Sequence, residues 1–253
     1  MTGMSADKEL MILAIETATR AGSVALARGK AILGSASGDA SVSHSTDLIL
    51  TVGGILDSAG VKLNEIDLFA AAAGPGSFTG LRIGLATIKS FAVCTGKGCA
   101  GVSTLAAIAH AAGTSDQTVS LLPAGRGELF AQLFSVSDGQ VRELDAPAHL
   151  SPGAILEIYG EARELRWAGE GAHLQAETLR GWAQAHNIPF DDSTPGRTAW
   201  SLAPPVGDLA ISVAALALST YRKGDTVDPE ELRAVYVRAS DAEINEKWQR
   251  DNQ

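Results

Sequence analysis

The stretch Gly74-Pro75-Gly76-Ser77-Phe78-Thr79-Gly80 constrains this chain more than any other. It follows an apolar run, Asp67–Ala73, that reads as a buried strand. It leads into a segment, about Leu81 to Val93, whose apolar residues Leu81, Leu85, Ile88 and Ala92 recur at helical spacing. A strand that turns through glycines into a helix presents unpaired N–H groups and the positive end of the helix dipole, which favour an anion. Glycine also lets a backbone come close to a ligand. Gly74, Gly76, Ser77, Thr79 and Gly80 are therefore candidates for a phosphate loop, and the competing reading is a tight turn that needs positive φ angles. The loop is not a Walker A motif, because no Gly-Lys-Ser/Thr follows at the right spacing. It is not a nucleophile elbow, because Pro75 and Thr79 stand where that turn needs glycines around Ser77.

The elements around the loop repeat. Leu10–Ala18, Ser23–Arg28 and Lys30–Ser37 are three β-prone runs, punctuated by Thr19-Arg20-Ala21-Gly22 and Gly29. A helix follows from about His44 to Ala59, with Leu48, Val52, Ile55, Leu56 and Ala59 at helical spacing, Ser41 or Ser43 as its cap and Gly60 at its end. After the loop and its helix, Ala100–Ser103 reads as a strand and Thr104–Ala112 as a helix. Strands then recur at Thr118–Pro123, Leu129–Ser137 and Gln140–Leu144, the last two joined by the hairpin signal Asp138-Gly139. Next come a helix at Ser151–Tyr159, a strand at Leu165–Ala168, and helices at His173–His186 and Leu209–Tyr221. Asn187–Gly207, rich in Pro, Gly and Asp, reads as an irregular excursion, and Asp241–Gln253 as a frayed polar tail.

Two β-β-β-α-β-α units in tandem describe the α/β actin-like ATPase fold (ASKHA, RNase H-like), in which phosphates sit on glycine-rich turns in a cleft between two lobes. The expected division is an N-terminal lobe over 8–113 and a smaller second lobe over 114–207. A helix over 208–223 packs back on the first lobe, and a C-terminal segment covers 224–253.

Composition removes several function classes. The formal net charge is −9, from 29 acidic and 20 basic residues, and no Lys/Arg run stands out. Such a chain alone is a poor ligand for a phosphate backbone. The two cysteines, Cys94 and Cys99, are too few for a disulfide framework and fit no zinc spacing. The apolar run after the polar Met1–Glu9 is broken by Glu16 and is too short for a secretory core or a membrane span. A cytoplasmic protein away from membranes is the expectation.

Gly74-Pro-Gly-Ser-Phe-Thr-Gly-Leu-Arg-Ile-Gly84 resembles the hallmark loop of the TsaB/TsaD group, once called glycoprotease-like. Other segments resemble the TsaB (YeaZ) family in particular. These are Ile12-Leu13-Ala14-Ile15-Glu16-Thr17, His44-Ser45 with Leu48-Ile49, Gly101-Val102-Ser103-Thr104-Leu105, Arg126-Gly127-Glu128-Leu129-Phe130 and Tyr236-Val237-Arg238. Together they span nearly the whole chain. Three positions depart from the family: Glu16 stands where Asp is usual, Pro123 where an Asp precedes the Arg-Gly-Glu segment, and Leu50 where Pro is common. The first two make a standard nucleotide–metal site less suited to this chain.

The resemblance implies a non-catalytic scaffold or activator. It would pair with a TsaD-type catalytic subunit, joined by a TsaE-type ATPase, to place a threonylcarbamoyl group on the adenosine beside the anticodon of tRNAs reading ANN codons. The catalytic relative binds its metal through a His-x-x-x-His pair on the first helix, and two imidazoles at i and i+4 share one face. Here His44 is followed at i+4 by Leu48, so no metal site is expected, and the other histidines, His110, His149, His173 and His186, are scattered. The implied contact surface is the first two helices, with His44, Leu48, Val52, Leu56, Arg82 and Leu85 as candidate interface residues. On that reading Val52→Glu severs the partner without harming the fold. The same patch pairs two copies when the partner is missing, and tRNA is met only through the complex. No cofactor is required, while weak nucleotide binding in the cleft stays open. The main alternative is a small-molecule kinase or ATPase of the same superfamily. A metallopeptidase and an actin-like filament former fit less well, lacking respectively a second ligand and inserted subdomains.

Overall fold

A computed structural model describes residues 9–38, 44–191 and 198–237, with side chains of the first helix described from Asp47 onward. Met11–Glu16 forms β1, buried at every position. A strand covered on both faces reads as a continuous apolar run instead of an alternating one, and Met-Ile-Leu-Ala-Ile does so. Ser23–Arg28 (β2) and Ala31–Ser37 (β3) complete an antiparallel meander. After helix α1 (His44–Ala59) and a 3-10 turn at Leu63–Glu65, β4 (Leu68–Gly74) lies parallel to β1. Helix α2 (Phe78–Thr95) then carries the chain to β5 (Gly98–Ser103), parallel to β4. The first sheet has the order β3-β2-β1-β4-β5, and α3 (Thr104–Ala112) follows it.

The second half repeats this plan. Ser115–Gly125 (β6), Glu128–Ser137 (β7) and Gln140–Glu143 (β8) form a second meander, and the short β9 (Ala148–Leu150) pairs with β7. Asp138 and Gly139 have φ of 53° and 71°, the positive pair a two-residue hairpin turn requires. Helix α4 (Pro152–Tyr159) leads to β10 (Leu165–Ala168), parallel to β6. Helices α5 (Glu170–Leu174) and α6 (Ala176–Ala185) lead to β11 (Trp200–Leu202), parallel to β10, and α7 (Leu209–Lys223) follows. Read from the β8 edge, the second sheet runs β8-β7-β6-β10-β11, which is the order of the first. The actin-like α/β architecture expected from element order is the one observed.

The two sheets and their helices stack in layers. Successive residues of a strand face opposite ways. Leu13 and Ile15 of β1 join Leu48, Val52, Ile55 and Leu56 of α1 and Leu85, Ile88 and Ala92 of α2 in one core. Ile12 and Ala14 face the other way, into a core shared with α3, α7 and the near face of the second sheet. Helices α3 and α7 thus lie between the sheets. Beyond the second sheet, α4 to α6 cover Trp167 and Trp200, whose rings meet edge-on at 5.0 Å.

Some local expectations fail. The stretch expected to be an irregular excursion contains β11, held because Trp200 is wholly buried and its Nε1 donates to the carbonyl of Ala162 at 2.8 Å. The helix expected over His173–His186 is two helices that meet at Gln175. Helix α2 starts at Phe78, not Leu81, because Ser77 caps it by accepting from the Gly80 N–H at 3.2 Å. The Ser41 or Ser43 cap, Arg238 and the tail from Asp241 lie outside the described residues.

After α7 the chain crosses back over the first sheet. Val227 exchanges two backbone hydrogen bonds of 2.9 Å with Cys99 of β5. Leu232 sinks into the α1/α2 core, and the Val235 N–H donates to the Ala73 carbonyl at 2.7 Å. Within the described residues the C-terminal segment thus reaches the glycine loop.

Candidate functional site: the glycine loop, the cleft and the first two helices

The glycines of the loop are occupied by the protein's own chain. A Cβ on Gly80 or Gly84 would collide with the carbonyl oxygen or hydroxyl of Thr17, and one on Gly74 with the carbonyl of Val235. A Cβ on Gly76 would stand 2.6 Å from Ala18. The Ser77 N–H donates to the Ala18 carbonyl at 2.9 Å, and the Leu81 N–H to the Ser77 carbonyl at 2.8 Å. The close approach that glycine allows is thus used to seat the start of α2 on the turn after β1. Thr79 lies in the first helical turn and is exposed.

The second half uses the same device. A Cβ on Gly169 would stand 2.5 Å from the Leu121 carbonyl oxygen, and one on Gly171 would stand 2.9 Å from the Leu121 carbonyl carbon. Gly169 and Gly171 follow β10 as Gly76 and Gly80 follow β4, and Leu121 lies on β6, the counterpart of β1. The sequence reading missed this pair. The signal was Ala168-Gly169-Glu170-Gly171, a second strand–glycine–helix junction in the matching place.

Between the halves lies a cavity of about 650 Å³, bordered by Arg20, Ser77, Phe78, Pro123, Glu170 and Tyr236. It is the cleft between the halves in which the actin-like reading expects phosphates. Glu16 is buried at the end of β1, and its two carboxylate oxygens accept from the N–H and hydroxyl of Thr19 at 2.6 and 2.7 Å. The Glu16 carboxylate thus closes its own turn. Pro123, in β6, offers no carboxylate on the opposite wall. The mouth is aromatic: Phe78 and Tyr236 lie 5.2 Å apart, and the Arg82 guanidinium sits 3.8 Å over the Phe78 ring. The other histidines occupy separate places. His110 contacts Ser212, His149 lies by Phe130, His173 lines an inner pocket with Thr19, and His186 stacks on Trp182. Among the described residues no three His, Cys, Asp or Glu side chains converge as a metal site requires.

The structure corrects the expected contact surface. Leu48, Val52, Leu56 and Leu85 are buried in the chain's own core, Val52 to 3% exposure, because they form the stripe that covers β1 and β4. They are not free to meet a partner, and Val52→Glu would place a charge inside the fold. What α1 shows outward is Ile49 and Leu50, 55% and 73% exposed, beside Gly53 and Gly54, over which nothing lies within 4 Å of a Cβ position. The adjoining α2 shows Arg82, Ala86, Ser90 and Val93. Arg82 alone of the expected interface residues with described side chains points out. The side chain of His44 lies outside the described residues.

Comparison with known proteins places this arrangement. The family model for TsaD, tRNA N6-adenosine threonylcarbamoyltransferase, matches residues 34–223. The tRNA threonylcarbamoyladenosine biosynthesis protein TsaB of Escherichia coli K12 is 29% identical over 234 residues, spanning 90% of this chain and 95% of that protein. TsaB of Bacillus subtilis 168 is 26% identical over 172 residues, spanning 67% of this chain and 75% of that protein. The structure of YeaZ from Pseudomonas aeruginosa superposes with a TM-score of 0.72 at 26% identity, over 90% of this chain and 99% of that one. The chain belongs to the TsaD family, in its TsaB/YeaZ branch.

Membership of the TsaB/YeaZ branch fits a paralogue of the threonylcarbamoyltransferase that the family model describes. On α1, Leu48, four residues after His44, packs against the first sheet. Among the described residues no helix is long and apolar enough to cross a membrane.

Proposed function

We propose that this chain is a non-catalytic partner in the threonylcarbamoyl modification of tRNA, and that it pairs with a TsaD-type catalytic subunit with which a TsaE-type ATPase cooperates. The names of the TsaB relatives support the process. The observation that carries the role is the pairing of an exposed apolar helix face with a cleft whose acid is already engaged. Ile49 and Leu50 stand beside two open glycines, so a partner helix can reach the α1 backbone closely. Large apolar side chains grouped on one helix face mark interaction surfaces. Leu50 also stands where the family commonly has Pro, so this chain places a bulky apolar side chain at that point of the face. Burying about 800 Å² per partner there makes a standard specific interface. The chain needs no metal or nucleotide of its own on this reading, and tRNA meets it through the assembled complex.

Two variants separate contact from fold. Leu50→Glu keeps the melting temperature and loses co-elution with the TsaD-type subunit on gel filtration. Val52→Glu loses stability by several kcal/mol, because it buries an unpaired carboxylate. Full co-elution of Leu50→Glu, or threonylcarbamoylation of tRNA by the purified chain alone, would refute the proposal.

A further inference from the structure

A cavity of about 320 Å³ lies at the seam between the two halves and shares no residue with the glycine-loop cleft. Its walls are the β2–β3 turn, α7 from Ile211 to Arg222, the last turn of α3 and the β7–β8 turn. Ile32, Ile211 and Leu218 make an apolar floor, and Lys30 and Arg222 stand at the edge.

Neither cation forms an ion pair among the described residues. Cations suit the last turn of a helix because of its dipole, but of the adjacent Arg222 and Lys223 that close α7, only Arg222 borders the cavity. Asp138 also borders it. Its carboxylate accepts from the Ser137 hydroxyl at 3.2 Å and is not within ion-pair distance of either cation. The His110 ring forms the remaining polar wall. Its Nδ1 shares a hydrogen bond with the Ser212 hydroxyl at 3.0 Å, while Nε2 points toward Gly139 of the β7–β8 turn and has no hydrogen bond among the described residues.

We propose that this cavity binds a small amphipathic anion, a carboxylate or phosphate monoester. Its head lies between Lys30 and Arg222, and its apolar body rests on Ile32, Ile211 and Leu218. At about 30 Å³ per water-sized group, the space holds about ten such groups. It lies at the small end of known ligand pockets, which share this make-up of apolar walls and a few convergent polar groups. His110 Nε2 supplies one hydrogen bond. The bound molecule touches the first half through the β2–β3 turn and α7 and the second through the β7–β8 turn, so it bridges them. The site stands independently of the tRNA role.

Isothermal titration of the full-length chain with octanoate, octyl phosphate and octanol tests this directly. The expected result is saturable one-to-one binding of at least one of the two anions, with octanol at least tenfold weaker. The Lys30→Ala/Arg222→Ala double variant, altered only at exposed positions, is expected to lose at least tenfold in affinity with an unchanged melting temperature. Ala215→Phe, which fills the cavity, is expected to abolish binding, and circular dichroism checks its fold. The ratio between octanoate and octyl phosphate identifies the preferred head group. Octanol binding as tightly as the anions, no saturation by either anion, or affinity unchanged in the double variant overturns the proposal.

Discussion

The hydroxyl of Thr17 donates to the carbonyl of Gly80 across 2.8 Å, tying the turn after β1 to the first turn of α2. The Gly80 Cα faces the Thr17 carbonyl with no space for a methyl group. Gly80→Ala must push α2 away from β1, at a cost of about 1–3 kcal/mol. Urea unfolding is expected to show a lower midpoint with an unchanged slope, the mark of a change in stability alone.

Leu48→His restores the His-x-x-x-His spacing with His44 but not a metal site. Leu48 is 7% exposed and packs on the sheet, so the new imidazole is buried among apolar side chains, and among the described residues no cluster of metal-ligating side chains stands there. The variant is expected to bind no stoichiometric zinc or iron by atomic absorption. It is also expected to unfold about 2–5 kcal/mol more easily than the parent, since a large core side chain is lost and a polar one buried.

Leu232 is 3% exposed, and its Cδ1 would lie 3.0 Å from a Cβ placed on Gly101 of β5. It anchors the C-terminal segment to the first sheet. Leu232→Ala is expected to cost about 2–5 kcal/mol. Limited proteolysis of that variant is expected to cut between Gly224 and Val237 much faster than in the parent chain.

His110 gives the fold a dependence on acid. Burial holds its pKa below the ordinary 6.5. Below pH 6.5 the unfolded chain therefore takes up a proton that the folded chain resists, and stability falls as pH drops until the folded form is protonated too. Denaturation between pH 7.5 and pH 5 is expected to show His110→Gln losing less stability on acidification than the parent. A parallel loss in both would assign the acid sensitivity to other groups.

The tandem architecture was legible because each half announces itself through strand runs, glycine junctions and helical stripes in the same order. The outward face of α1 was not. Leu48, Val52, Ile55 and Leu56 form one stripe, Ile49 and Leu50 belong to another, and both are apolar, so spacing alone names a stripe without saying which one meets the sheet. The glycine loop misled in a related way. A turn that seats a helix on a strand needs the same bare backbone as a turn that holds a phosphate, and only Thr17 and Ala18, far from it in sequence, distinguish the two. Trp200 explains the missed β11: its neighbours Pro195, Gly196, Pro204 and Pro205 mask a three-residue strand whose stability comes from one large ring and its hydrogen bond to Ala162.

Helices α3 and α7, which separate the two sheets, belong to one core that holds Ala107, Ala109, Ala210, Ala214 and Ala217 beside Leu105, Ile108 and Val213, and His110 of α3 meets Ser212 of α7 at 3.0 Å. One continuous core therefore serves both halves, so a substitution that loosens either helix is felt by both sheets.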